Sequence, residues 1–194
     1  MINAEQYYNN TQRDNPSKLL MKIINKNIQP GKAIDLGCGA GNDTVYLIKN
    51  GWKVIAIDSN DVSDRIKNRL NDDELLKFKF QKQIFEELHL SNCNLIVAQN
   101  SLSFCNPQNF DKMWKEITQN IQKGGYFVGN FFGIKDEWNT IQNNKNMTFL
   151  SIEQVKKLFK QFEIIILNER CKEGKTGLGQ IKLWHIFYVI ARKK

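Results

Sequence analysis

The sequence predicts a doubly wound α/β fold, a seven-stranded sheet whose last strand runs against the others. Three observations predict it. Apolar, strand-length runs alternate with helix-period segments through most of the chain, which implies a parallel sheet covered on both faces. Two strand runs then close the chain with no helical pattern between them, the mark of an antiparallel hairpin. Finally, Ala33-Ile34-Asp35-Leu36-Gly37-Cys38-Gly39-Ala40-Gly41-Asn42 reads as a strand that ends in a glycine turn and opens a helix.

Residues 1–15 are polar, carry Tyr7 and Tyr8, and read as an arm rather than a core element. Pro16-Ser17 opens a helix with Leu19, Leu20, Ile23 and Ile24 on one face, closed by Pro30-Gly31. Strand 1 is residues 32–36 and strand 2 residues 53–57. The helix between them runs from Asn42 to Lys49 and ends at Asn50-Gly51, a left-handed cap. Val62, Ile66 and Leu70 mark a third helix, and strand 3 is expected near 77–82. Strand 4, Asn94 to Ala98, is a near-continuous apolar run of the buried parallel kind.

Phe110, Met113, Trp114, Ile117 and Ile121 trace the core face of a long helix stopped by Gly124-Gly125. Strand 5 is Tyr126 to Phe131, followed by an Asn-rich loop over 133–147. Ser151 and Gln154 form a capping box for a helix burying Val155, Leu158 and Phe159. Strand 6 is Phe162 to Leu167 and strand 7 Leu183 to Ala191, with a Gly-rich polar loop between them. The whole of 1–194 is expected to be one domain, with no repeat or linker.

Ligands of such sheets bind outside the carboxyl ends of the strands. Glycines at 37, 39 and 41 permit positive φ and close approach of backbone to a ligand. The helix from Asn42 aims its N-terminal dipole over the turn. Asp58, ending strand 2, is placed to accept from two vicinal ribose hydroxyls, which describes a nucleoside-type cofactor. A ligand-free turn has no need for two acids at strand ends. A dinucleotide turn needs G-x-G-x-x-G, whereas here the third glycine arrives one residue early, and Asp35 stands two residues before the first.

Asp35, the G-x-G-x-G triplet and Asp58 together resemble motif I and the following acidic position of the class I S-adenosylmethionine-dependent methyltransferases. The resemblance covers nearly everything from Pro16 to Arg192 and implies a Rossmann-like sheet of order 3-2-1-4-5-7-6 with strand 7 antiparallel. It also implies S-adenosylmethionine as cofactor. Gly37, Cys38, Gly39 and Gly41 would pass under its methionine end, with Asp35 ordering the turn and reaching the ammonium through water, and Asp58 on the ribose. After strand 3 the family often has an acid for the adenine amine; Gln83-Ile84 stands there instead. A glutamine oxygen can accept from that amine and the Ile84 N–H can reach a ring nitrogen. Gln83 as a plain exposed strand end is the alternative.

Gln99 and Asn100 open the segment that, in the family, faces the methyl group and the substrate. That segment lacks an Asn/Asp-Pro-Pro-aromatic box, and no paired-glutamate loop is evident, which favours a small-molecule acceptor over a nucleic-acid base or an arginine. Phe132-Gly133 with Asp136-x-Trp138 and a terminal Trp-His-x-Phe-x-Val-Ile-Ala-Arg-Lys is similar to a branch of small bacterial methyltransferases near the tellurite-resistance type. Tyr8, Asn100, Trp138 and His185 are the substrate-side candidates. His185 is either a general base or a core histidine bonded to a backbone carbonyl. In the class, arms such as 1–15 fold across the cofactor, so this one is expected to order over the site, Tyr8 touching cofactor or substrate.

Two function classes stand beside the methyltransferase: a non-catalytic sensor or interaction protein that keeps the cofactor, and a nicotinamide-dependent oxidoreductase. Four scattered cysteines and two histidines offer no zinc-like spacing, so no metal is expected. No apolar run is long enough to span a bilayer, and Met1 to Gln6 lacks a secretion signal, which makes a cytoplasmic location the expectation. The net charge of +8 raises nucleic acid as a partner. Basic residues are spread along the whole sequence, so a solvated basic surface is expected and nucleic acid disfavoured.

Overall fold

The computed structural model describes residues 4–26, 28–141 and 145–194. Residues 1–3 of the expected arm and 142–144 of the expected loop lie outside the described residues. Seven strands form one sheet in the order β3-β2-β1-β4-β5-β7-β6. They are β1 Lys32–Leu36, β2 Lys53–Asp58, β3 Phe78–Lys82, β4 Cys93–Ala98, β5 Ile121–Phe132, β6 Phe162–Lys175 and β7 Ile181–Lys193. β1 pairs in parallel with β2 and β4, and β7 is antiparallel to both β5 and β6. Sheet order and the reversed last strand are those expected from the sequence.

The helices are α1 Ala4–Thr11, α2 Lys18–Ile24, α3 Asn42–Lys49, α4 Ser63–Lys67, α5 Asp72–Leu75, α6 Pro107–Asn120 and α7 Ile152–Leu158. Alternation along β1 shows how the layers form: Ala33 faces a cluster with Leu20, Ile23, Leu47 and Trp52 under α2 and α3. Ile34 faces the opposite cluster with Met113, Trp114, Phe127 and Phe159 under α6 and α7. Ser17 caps α2 by accepting from Leu20 N–H, and the Ser151–Gln154 capping box forms as the sequence predicts.

Four sequence expectations change. Residues 4–11 are a helix, and Tyr8 is a core residue packed with Cys38, Val45, Ala56, Val62 and Ile66, not part of a polar arm. Ile121 belongs to β5, where it pairs with Cys93, so α6 stops at Asn120 and the glycines lie inside the strand. β6 and β7 extend well past their apolar portions, Arg170 pairing with Ile186 and Lys175 with Ile181, so most of the expected polar loop is hairpin. The tip of that hairpin reaches α1: Asn10 Nδ2 donates to Gly177 O at 3.0 Å. The fourth change, a short α5 with an Asn71–Glu74 capping box, was hidden by its small, exposed span.

Candidate cofactor and acceptor site

The glycine turn is held by β2. Gly37 and Cys38 N–H groups both donate to Ile57 O, at 2.8 and 3.0 Å, and all three glycines take positive φ. Two of them are glycine for packing as well as for backbone. A Cβ on Gly37 would lie 2.4 Å from Ser101 Cβ, and one on Gly41 2.3 Å from Ile66 Cγ1. Gly39 differs, because the nearest atoms to a Cβ there, on Tyr7 and Tyr8, are 3.7 Å away or more. The backbone of the turn is thus a cradle faced by the rings of Tyr7 and Tyr8 at ordinary contact distance.

Asp58 stands across from it, buried, its Oδ2 accepting from Gly39 N–H at 2.9 Å. Its Oδ1 accepts from Asn60 N–H at 3.1 Å and from the Tyr8 hydroxyl at 3.0 Å. Burial first, and the Asp58 charge second, push the Tyr8 phenol above its ordinary value, so it remains a proton donor. Burial likewise keeps Cys38 a thiol, an inert wall of the turn.

Asp35 is placed to order the turn, as the sequence suggests. Its Oδ2 accepts from Thr44 Oγ1 at 2.6 Å, which ties the end of β1 to the first turn of α3. Burial, then the neighbouring Asp43, raise its carboxyl to about 8. It orders the turn from beneath.

Beyond Asp58 a shallow cavity of about 280 Å³ is lined by Ser59, Lys82, Gln83, Ile84 and Glu87. Ile84 is exposed there, and Gln83 Oε1 accepts from His89 N–H at 3.0 Å. Gln99 presents a buried Nε2 with no partner at the end of β4. Asn100 takes φ +51°, and is the non-glycine residue in the left-handed region among those described. Asn130 pins it twice, accepting from Asn100 N–H at 2.6 Å and donating to Asn100 Oδ1 at 2.7 Å. Such a doubly anchored strained residue is held for a purpose at a strand end. The glycine cradle facing Asp58, the cavity beside Ile84 and the orphaned Gln99 donor fit a nucleoside cofactor with an aminoacyl end.

Both ring nitrogens of His185 are hydrogen-bonded. The residue is buried, its Nδ1 accepts from Lys135 N–H at 3.0 Å, and its Nε2 therefore carries the proton given to Glu169 Oε1 at 2.8 Å. With both nitrogens engaged it positions the loop after β5, its partner at Nδ1 being a backbone N–H and not a carbonyl. Asp136 clamps the same loop: it accepts from Trp138 N–H and His185 N–H, each at 3.0 Å, and from Lys182 Nζ.

Lys182, which sequence reasoning missed, is buried with its ammonium 3.7 Å from the Trp184 ring centre and 4.4 Å from that of Trp138. Phe132 packs against both tryptophans, and the exposed Phe104 leans on Trp138 and Phe132. A lysine two residues before a tryptophan in an otherwise apolar strand was the available signal. Asp136 thus ties the backbones of Trp138 and His185 together, but the Trp138 ring joins Phe132 and Trp184 in an aromatic wall while the His185 ring packs on Phe187, and Tyr8 stands apart from both at Asp58.

The sheet order, the reversed seventh strand, and a G-x-G-x-G turn facing an acid at the end of β2 define the class I methyltransferase fold. The family model described as tellurite resistance protein TehB matches residues 1–179, and the chain belongs to that family. The crystal structure of TehB from Haemophilus influenzae superposes with a TM-score of 0.75 at 21% identity, covering 95% of this chain and 65% of that one. A Burkholderia thailandensis 1,6-didemethyltoxoflavin N1-methyltransferase, solved with its substrate and S-adenosylhomocysteine, gives 0.67 at 16% identity, covering 91% and 77%. By sequence the chain is 28% identical over 102 residues to the H. influenzae protein named "Probable S-adenosyl-L-methionine-dependent methyltransferase TehB", covering 52% of this chain and 36% of that protein. It is 33% identical over 106 residues to ribosomal RNA small subunit methyltransferase C of Buchnera aphidicola, covering 53% and 32%. The chain matches about a third of the length of these curated relatives.

Proposed function

We propose that the chain binds S-adenosylmethionine at the carboxyl ends of β1 and β2 and transfers its methyl group to a small-molecule acceptor. The positive-φ glycine turn, its Gly39 N–H bonded to the buried Asp58 carboxylate, carries this reading. Backbone of Gly37, Cys38 and Gly39 would line the methionine end, Asp58 would hold the ribose, and the cavity at Gln83 and Ile84 would receive the base. Bound there, the cofactor supplies an already activated methyl on sulfur. The protein's own part is then alignment and the exclusion of water, and positioning alone supplies on the order of 7–11 kcal/mol in favourable systems.

Asn100 and the aromatic wall of Phe104, Trp138 and Trp184 are placed to orient the acceptor. With both His185 nitrogens engaged, no histidine is free to act as a base on that side among the described residues, which suits a soft nucleophile such as a thiol, selenide or related oxyanion. The hairpin tip meets α1 at Asn10 and Tyr7, and Tyr7 stands beside Gly39, a cover that supports a small acceptor over a polymer. Family membership and the early third glycine both weigh against the oxidoreductase reading. A panel of small thiols, amines and chalcogen oxyanions, read by release of S-adenosylhomocysteine, tests the proposal. Turnover with one or more supports it. Cofactor binding with no turnover across the panel would favour the non-catalytic sensor.

A further inference from the structure

Basic residues scattered along the sequence are gathered by the topology at one place, the end of the sheet opposite the cofactor site. In a parallel sheet every strand begins at that end, and here most begin next to a cation. Lys32 and Lys53 open β1 and β2 as direct register partners, both exposed. Lys26 and Lys49 leave the helices just before them. Lys123 lies in the first turn of β5, and Lys160 precedes β6. Because β7 runs backwards, its last residues, Arg192, Lys193 and Lys194, arrive at this same end.

Lys123, Arg192, Lys193 and Lys194 line a cavity of about 390 Å³, together with Gly124 and the acid Glu163. Glu116, near the end of α6, accepts from Leu90 N–H just before β4, and the acids beyond it are Asp72, Asp73 and Glu74, in α5 at the far β3 margin. From β2 to β7 the row spans four strand spacings, about 19 Å at roughly 4.8 Å each.

We propose that this basic sheet end is a docking surface for single-stranded RNA, used through its phosphate backbone and separate from methyl transfer. The strip is long and mostly basic, with Glu163 and Glu116 as its acids, and its length suits a polyanion more than a compact anion. Amides rather than apolar groups stand between the cations: Asn94 accepts from Lys32 N–H at 3.0 Å and donates to Gln122 at 2.9 Å. Lysine, arginine, asparagine and glutamine are the side chains that contact phosphate and sugar. A protein interface would need an apolar or aromatic centre, and an anionic membrane would reward apolar insertion. Among the described residues, the large exposed apolar side chains near this end, Leu76, Ile164 and Ile165, lie only at its β3 and β6 margins. The surface is about 17 Å from the cofactor end, the length of five strand residues, so it anchors RNA without presenting a base for methylation.

Fluorescence anisotropy with a labelled 20-nucleotide RNA, at several salt concentrations, tests the proposal. Wild-type protein should bind with affinity falling steeply as salt rises. Lys32→Glu/Lys53→Glu/Lys123→Glu should weaken binding at least tenfold at 100 mM salt. It should also reduce the log–log salt slope by about two, from three lost phosphate contacts at roughly 0.7 each. Lys18→Glu/Lys172→Glu/Lys175→Glu makes the same change in net charge elsewhere and should alter affinity less than threefold. The corresponding alanine triple at 32, 53 and 123 should show a smaller loss in the same direction, which keeps the test intact if charge reversal disturbs folding. Equal losses for the two charge-reversal triples, no RNA binding by wild type at 100 mM salt, or binding to phosphatidylserine vesicles in place of RNA would each overturn the proposal.

Discussion

Replacing Tyr8 with phenylalanine removes one oxygen and asks whether the phenol guards the ribose carboxylate or serves the cofactor. Asp58 accepts three hydrogen bonds, from Tyr8, Asn60 and Gly39, at 3.0, 3.1 and 2.9 Å. A carboxylate offers about four acceptor directions, and a ribose diol needs two of them. One existing donor must therefore leave, and two of the three are backbone N–H groups fixed by the fold. The phenol is the one free to go. A hydrogen bond to a charged acceptor contributes about 1.5–3 kcal/mol. Taking the lower figure for a phenol that regains water, the obstacle is worth roughly tenfold in affinity. Tyr8→Phe should thus bind S-adenosylhomocysteine about tenfold more tightly by calorimetry, while the ligand-free protein loses about 1.5 kcal/mol in urea unfolding. In the wild type, trypsin cleavage at the exposed Arg13, just past α1, should slow once the ligand is bound and the helix has re-closed. Weaker binding by Tyr8→Phe would refute the reasoning and make the phenol a cofactor contact.

Three further outcomes are expected. Gly39→Ala should cost about 1–2 kcal/mol of stability, from φ +53° alone, yet abolish cofactor binding because its Cβ would stand over the turn where the cofactor is proposed to pass; retained binding would show that the ligand does not lie there. Asp35, raised to about 8 in the fold against about 3.9 unfolded, holds a proton in the folded state that the unfolded chain has lost. Its contribution is present in full below pH 4 and is lost as pH rises through 8. Stability of the wild type relative to Asp35→Asn should therefore fall by about 1.4 kcal/mol per pH unit between pH 5 and 7, and a flat difference would disprove the assignment. Lys182→Met should destabilise by about 3 kcal/mol in urea, because Asp136 is left buried with only its backbone donors, and Lys182→Met/Asp136→Asn should recover part of the loss.

The sheet was legible because its information is local and repeated. Each buried parallel strand from Lys32 to Ala98 announces itself by an apolar run, and the turn by residue types that only one backbone path tolerates. The outer hairpin was not, since residues 168–175 of β6 are almost wholly exposed and so carry no buried-face alternation. Their pairing rests on backbone ladders with β7. Ile121 satisfied the helical period of α6 equally well; its pairing with Cys93, a contact distant in sequence, decided for strand. At the site, Asp58 and the glycines were readable from spacing. The partner that occupies Asp58, fifty residues earlier in the chain, and the Lys182 ammonium enclosed by two tryptophans depend on tertiary contacts alone. His185 had the chemistry of a base, but a backbone N–H and Glu169 take both its nitrogens.

Titration calorimetry on the wild type and Asp58→Ala, with S-adenosylhomocysteine and NAD as ligands, tests the central claim most directly. The wild type should bind the sulfur ligand with one-to-one stoichiometry and show no heat with NAD. Asp58→Ala, deprived of the carboxylate that faces the Gly39 cradle, should bind at least a hundredfold more weakly under conditions where it remains folded, its urea midpoint being lowered by the loss of three hydrogen bonds. Tight NAD binding by the wild type, or S-adenosylhomocysteine binding that Asp58→Ala leaves unchanged, would contradict the account.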